Sequence, residues 1–142
     1  MSIRPRFADL ICEGTKTVEL RRRSPKLSAG DTVLLYVSSP VKALAASFVV
    51  DEVSEGTPET IWDEVEHRAG VDKPEFDSYF SGAETAVAIG VRDPVALGEP
   101  VALDTLRELW EPFTAPQSYR YLDDHMVSAL ASHQDARRPA VG

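Results

Sequence analysis

Between Thr17 and Val53 the chain carries three β-favouring runs separated only by turns, and this arrangement leaves little choice of fold. Thr17-Val18-Glu19-Leu20-Arg21-Arg22 alternates polar and apolar, which puts Val18 and Leu20 on one strand face and Thr17, Glu19 and Arg21 on the other. After the turn Ser28-Ala29-Gly30-Asp31 comes the nearly all-apolar run Thr32 to Val37. Ser38-Ser39-Pro40 punctuates it, with both cis and trans open to the Ser39-Pro40 bond. A longer strand then runs from Lys42 to Val53, with Leu44, Ala46, Phe48 and Val50 on one side. Runs joined this tightly pair as antiparallel neighbours, and the helices elsewhere are too short to wrap a doubly wound parallel sheet. The expected fold is α+β, a small mixed or antiparallel β-barrel with surrounding short helices.

Helical periodicity predicts those helices. Phe7, Leu10 and Ile11 repeat on one face of Pro5 to Glu13, Gly14 supplies the stop, and Cys12 reads as a small apolar side chain beside that face. Thr57-Pro58-Glu59 opens a helix carrying Ile61, Trp62 and Val65, with Gly70 ending it, and Asp72-Lys73-Pro74-Glu75 opens another whose apolar stripe is Phe76, Tyr79 and Phe80. Thr85 to Val91 reads as a further strand. Leu103-Asp104 starts a short helix through Leu106, Leu109 and Trp110, and Ser118 to Ser132 places Tyr119, Leu122, Met126, Ala129 and Leu130 at helical spacing. Residues 1–132 form one domain in this reading, and 133–142 a flexible C-terminal tail. Tyr36, Trp62 and Trp110 fit the core, and His67 the surface.

Composition narrows the chemistry. A single cysteine excludes an internal disulfide, and three scattered histidines give no metal-ligand spacing, so neither metal nor cofactor is expected. No apolar run approaches the ~20 residues of a membrane helix, and Met1-Ser2-Ile3-Arg4-Pro5-Arg6 lacks a signal peptide's apolar core, which predicts a cytoplasmic protein without a membrane partner. The net charge of −8 hides an asymmetry: residues 1–42 carry +4 and residues 43–135 carry −14. Such a chain can hold an anion in one place and repel it elsewhere.

The segment Glu13-Gly14-Thr15-Lys16-Thr17-Val18-Glu19-Leu20-Arg21-Arg22-Arg23 concentrates this chemistry where a helix gives way to a strand. A lysine beside a carboxylate and an arginine can bind phosphate, or can have its pKa lowered enough to act as a base. A solvated strand with ordinary ion pairs would show the same composition. Lys16 and Glu19 are the candidate catalytic pair, with Lys16 as base or electrostatic stabiliser and Glu19 as proton acceptor or orienter of the lysine. Thr17, Arg21, Ser38, Ser39 and Lys42 are candidate substrate-binding residues. So are Gln117, Arg120 and Tyr121, in a segment where tyrosines flank an arginine as base and phosphate recognition requires. Lys16 and Arg21 are expected to point inward, and alternation turns at least one of Arg22 and Arg23 outward.

Three stretches together resemble the ASCH domains of the PUA-like superfamily: Ser2 to Ile11 with Gly14 to Arg23, Gly30-Asp31 with Leu35 to Lys42, and Phe76 to Gly82. Pro116 to Leu122 extends the likeness to roughly residues 2–122. The resemblance implies a PUA-like barrel with a cleft that recognises RNA or a modified nucleotide. Family activities include RNA cleavage and hydrolysis of N4-acetylcytidine, and a transcription-related regulatory role is a further alternative. In the amidohydrolase-type members the loop reads Gly-x-Lys-Thr-x-Thr, with the lysine, the second threonine and a distant glutamate catalytic. Lys16 meets the lysine position, but Glu19 stands where the second threonine would be, and Asp72, Glu75 and Asp77 are the nearby acidic residues.

Overall fold

The computed structural model describes residues 1–111, 113, 114 and 122–137. Its elements run β1 (Ser2–Ile3), α1 (Pro5–Glu13), β2 (Val18–Arg21), β3 (Thr32–Val37), β4 (Ala43–Gly56), α2 (Pro58–Val65), α3 (Lys73–Tyr79), β5 (Ala86–Ala102), α4 (Leu103–Leu109) and α5 (Asp124–Arg137). One five-stranded sheet has the order β1-β3-β4-β5-β2. β1 pairs parallel with β3, and every other pairing is antiparallel.

The fold is mixed α+β, but among the described residues the sheet is not closed into the expected barrel. β1 and β2 are its two edges. β1 ends after Ile3 because Pro5 begins a helix, so too little strand exists to pair with β2. A side chain spans the gap instead: Arg21 Nη2 donates to the Ser2 carbonyl at 3.0 Å.

β4 and β5 form the long central ribbon, bent at three register shifts. β5 extends eleven residues past the Val91 end read from the sequence, because Asp93, Pro94, Gly98 and Pro100 disguise a strand that pairing with β4 sustains. Leu35, Phe48, Val50 and Ile89 are fully buried on the sheet face covered by Ile11 of α1. Val18 and Leu20 pack instead with Ile61, Val65, Phe76 and Phe80 of α2 and α3. A third cluster joins Tyr36, Leu44 and Val101 to Leu106, Trp110 and Met126, and the Trp110 indole donates to the Met126 carbonyl at 2.8 Å.

The cap residues act as their types dictate. Thr57 accepts from the Thr60 amide and Asp72 from the Glu75 amide, while Gly14 closes α1 at φ 85°. Several expectations change. Cys12 is exposed, lying one residue off the α1 face that buries Ala8 and Ile11. α2 ends at Val65, short of Gly70. Tyr79 is 42% exposed rather than buried with Phe76 and Phe80. α5 starts at Asp124, where the Asp123 carboxylate accepts from the Met126 amide, and it continues to Arg137, so residues 133–137 are helical rather than tail. Gln117, Ser118, Tyr119, Arg120 and Tyr121 lie outside the described residues. The Ser39-Pro40 bond is cis.

Candidate functional site

The gap between β1 and β2 opens into a cleft of about 1100 Å³. Its walls are Ser2, Arg4 and Phe7 on one side, the β3–β4 turn with Ser38, Ser39 and Lys42 on another, and Glu75, Ser78 and Tyr79 of α3 opposite. Lys16, Glu19 and Arg21 also line it. A smaller cavity of about 420 Å³, walled by apolar side chains including Trp110 and Phe113, shares Tyr36 with it.

Lys16 is 2% exposed. Gly14 turns the chain at the end of α1, and the Lys16 amide donates to the Leu10 carbonyl at 3.0 Å. The Lys16 ammonium donates to the Ala69 carbonyl and stands 5.1 Å from the Phe7 ring centroid. Gly70 makes the room: at φ +71° a Cβ there would lie 3.2 Å from Lys16 Cβ and 3.1 Å from Leu10 Cδ1. Burial holds the Lys16 pKa below its ordinary 10.5, against the upward pull of the Glu19 charge.

The sign of that shift gives a stability prediction. Between the lowered folded value and 10.5 the unfolded chain binds the proton that the folded chain has released, so stability gains with rising pH across this window. Wild type should therefore gain unfolding free energy relative to Lys16→Met as pH climbs towards 10.5. Urea unfolding at a series of alkaline pH values checks this, and parallel pH curves for the two proteins would contradict it.

Glu19 is 7% exposed. Its Oε1 accepts from the Leu20 amide at 3.2 Å and lies 3.9 Å from Arg21 Nη2. Its Oε2 is buried with no hydrogen-bond partner among the described residues. A buried, unsatisfied carboxylate oxygen is costly to keep, and because Glu19 lines the cleft, a ligand hydroxyl is a fitting partner for it.

Strand alternation thus brings Glu19 and Arg21 to the cleft together with Lys16, but Thr17 does not join them. Arg68 donates through Nε to Thr17 Oγ1 at 3.1 Å, and the Thr17 backbone is pinned by Arg68 and Val91 ahead of the start of β2. Ser38, Ser39 and Lys42 line the cleft. Arg22 and Arg23 are exposed, and Arg22 Nη2 donates to the Ser81 carbonyl at 3.3 Å.

Lys42 adopts φ 50°, in the left-handed region that costs a non-glycine residue ~1–2 kcal/mol. Of the three acidic residues near α3, only Glu75 lines the cleft. Asp72 caps the helix and Asp77 pairs with Lys73 at 2.6 Å. Glu75 accepts a two-pronged contact from Arg6 at 2.9 and 3.0 Å, which holds its carboxyl below the usual range. Sequence reasoning missed Arg4, Ser78 and Tyr79 as cleft residues. The N-terminal basic charge pointed to Arg4, but nothing local distinguished Tyr79 from its buried neighbours.

Among the described residues no group of three His, Cys, Asp or Glu side chains gathers to hold a metal ion, and no helix is long and apolar enough to cross a membrane.

The ASCH domain model matches residues 1–95. An ASCH domain-containing ribonuclease of Zymomonas mobilis is 32% identical over 132 residues, covering 93% of this chain and 88% of the relative. The crystal structure of ASCH from Zymomonas mobilis superposes with a TM-score of 0.87 at 32% identity, covering 93% of this chain and 92% of that one. A tyrosine-to-phenylalanine mutant of the same protein gives 0.88 at 31% identity, covering 93% and 94%.

Proposed function

The chain belongs to the ASCH domain family, and on that premise we propose that it binds RNA in the cleft between β1 and β2 and cleaves it without a metal ion. The observation that carries this reading is Glu19: a buried carboxylate whose Oε2 has no partner among the described residues, in a cleft also lined by Lys16, Arg21 and Lys42. RNA carries its own nucleophile beside each phosphate. Glu19 accepts the proton of the ribose 2′-hydroxyl, the freed oxygen attacks the adjacent phosphorus, and the P–O5′ bond breaks. Arg21 and Lys42 neutralise the charge that builds on the phosphate oxygens, and the Lys42 ammonium returns a proton to the departing 5′ oxygen. The products are a 2′,3′-cyclic phosphate and a 5′-hydroxyl. Lys16, buried and tied to Ala69, acts as an electrostatic stabiliser rather than as the base. Ser38 and Ser39 offer hydroxyls to the RNA backbone.

A carboxylate in place of the second threonine of the Gly-x-Lys-Thr-x-Thr pattern removes the hydroxyl that the amidohydrolase-type members use, which speaks against N4-acetylcytidine as substrate. Wild-type protein is expected to cut single-stranded RNA in excess EDTA while leaving N4-acetylcytidine intact. Lys42→Gly should abolish cutting without loss of fold. Glycine relieves the left-handed strain, so its melting temperature should stay level or rise by ~2–4 °C. Cleavage that stops in EDTA and returns with a divalent ion would overturn the metal-free reading. Full activity in Lys42→Gly would remove that residue from the reaction.

A further inference from the structure

The aromatic residues lining the cleft are not alike. Tyr36 and Phe76 are 6% and 1% exposed, and Phe7 is partly buried in the sheet core. Tyr79 alone among these described aromatics is well exposed, at 42%. It is nevertheless fixed: its hydroxyl donates to the Leu20 carbonyl at 3.3 Å, and its ring meets Phe80 at 77° with centroids 4.8 Å apart. Arg21 lines the same cleft as Tyr79, whose hydroxyl feels the charges of Arg21, Glu19 and Arg22.

We infer that Tyr79 is the stacking shelf for one unpaired nucleobase of the bound RNA, with Arg21 beside it taking a phosphate of the same strand. This rests on the RNA-binding reading above and names what that site selects. A flat, immobilised π-face loses little entropy on binding, and a base offers it a matching face whatever its identity. In a duplex both faces of a base are already covered, so the shelf favours single strands. The phenol keeps its ring in place from its far end, leaving stacking as the ring's own contribution.

The test uses a short 2′-fluoro oligoadenylate, which lacks the 2′-hydroxyl nucleophile, and the same strand with its central bases replaced by abasic sites. Affinities are read by fluorescence anisotropy with wild-type, Tyr79→Phe and Tyr79→Ala proteins. Wild type and Tyr79→Phe should prefer the base-bearing strand by about tenfold. Tyr79→Ala should lose that preference while holding the abasic strand as tightly as wild type, which also reports that the cleft is intact. Binding by wild type without any preference, or a preference kept by Tyr79→Ala, would overturn the shelf while leaving RNA binding in place. Equal weakening of both strands by Tyr79→Ala would make Tyr79 structural. A wild-type dimer on gel filtration that Tyr79→Ala dissolves would assign the exposed ring to a second copy of the chain. Failure of wild type to bind either strand would overturn RNA binding itself.

Discussion

Glu19→Gln should slow RNA cleavage by about a hundredfold or more while leaving RNA binding intact, since general-base catalysis is worth ~10²–10⁴ in rate. The amide keeps the volume of the carboxylate and still offers an oxygen to the Leu20 amide, which donates to Glu19 Oε1 at 3.2 Å. What it loses is the capacity to take a proton. Removing a negative charge from a cleft meant for phosphates should hold or tighten binding, and this separates a catalytic effect from a binding one. Glu75→Gln is the control: its carboxylate lines the same cleft but is engaged by Arg6, so cleavage should change far less. Initial rates on single-stranded RNA in EDTA, beside anisotropy with an uncleavable strand, decide the matter. A Glu19→Gln protein as fast as wild type would move the base elsewhere.

The largest effect on stability is expected from Arg21→Ala, at ~3 kcal/mol. The guanidinium lies 3.9 Å from Glu19 Oε1 with only 11% and 9% of the two side chains exposed, so its removal strips a buried carboxylate of its ion-pair partner and leaves Lys16 alone to offset the charge. The same change cuts the Nη2 contact to the Ser2 carbonyl that straps β2 to β1 across the open side of the sheet. A melting temperature lower by about 10 °C is the corresponding shift. Glu19→Gln combined with Arg21→Ala should recover part of the loss, because the stranded charge is then gone. Arg22→Ala and Arg23→Ala should each stay within ~0.5 kcal/mol of wild type, as both side chains are exposed. The logarithm of RNA affinity should also fall less steeply with salt in Arg21→Ala, by about 0.7 per lost phosphate contact. Equal stability losses from all three arginines would mean a diffuse basic patch rather than a directional site.

Much of the architecture is legible along the chain. Proline at the first turn and glycine at the stop fix α1 at Pro5–Glu13, and the side chains of Thr57 and Asp72 start α2 and α3 as their hydrogen-bonding chemistry requires. Period-two alternation sends Val18 and Leu20 to the core and Glu19 and Arg21 to the cleft, although Leu20 also reaches the cleft lining. These are local matters: a residue's type and its nearest neighbours settle them. The resemblance carried by Gly14 to Arg23 and Leu35 to Lys42 likewise led to the family, and both stretches supply side chains that line the cleft.

Other features depend on partners distant in sequence, and no local pattern encodes them. Thr17 leaves the Glu19–Arg21 face because Arg68, fifty-one positions away, claims its hydroxyl. β5 runs through two prolines to Ala102 because β4 supplies the hydrogen bonds that its own composition disfavours. Tyr79 has the helical spacing of a core residue, yet it reaches the Leu20 carbonyl and keeps its ring exposed in the cleft, a position set by how α3 docks against β2. Periodicity gave the strands and the charged face. Only the packing decided that β1 would pair with β3 and leave the sheet open towards β2, because strand pairing joins segments distant in sequence, and the two residues before the helix at Pro5 leave too little strand to close it.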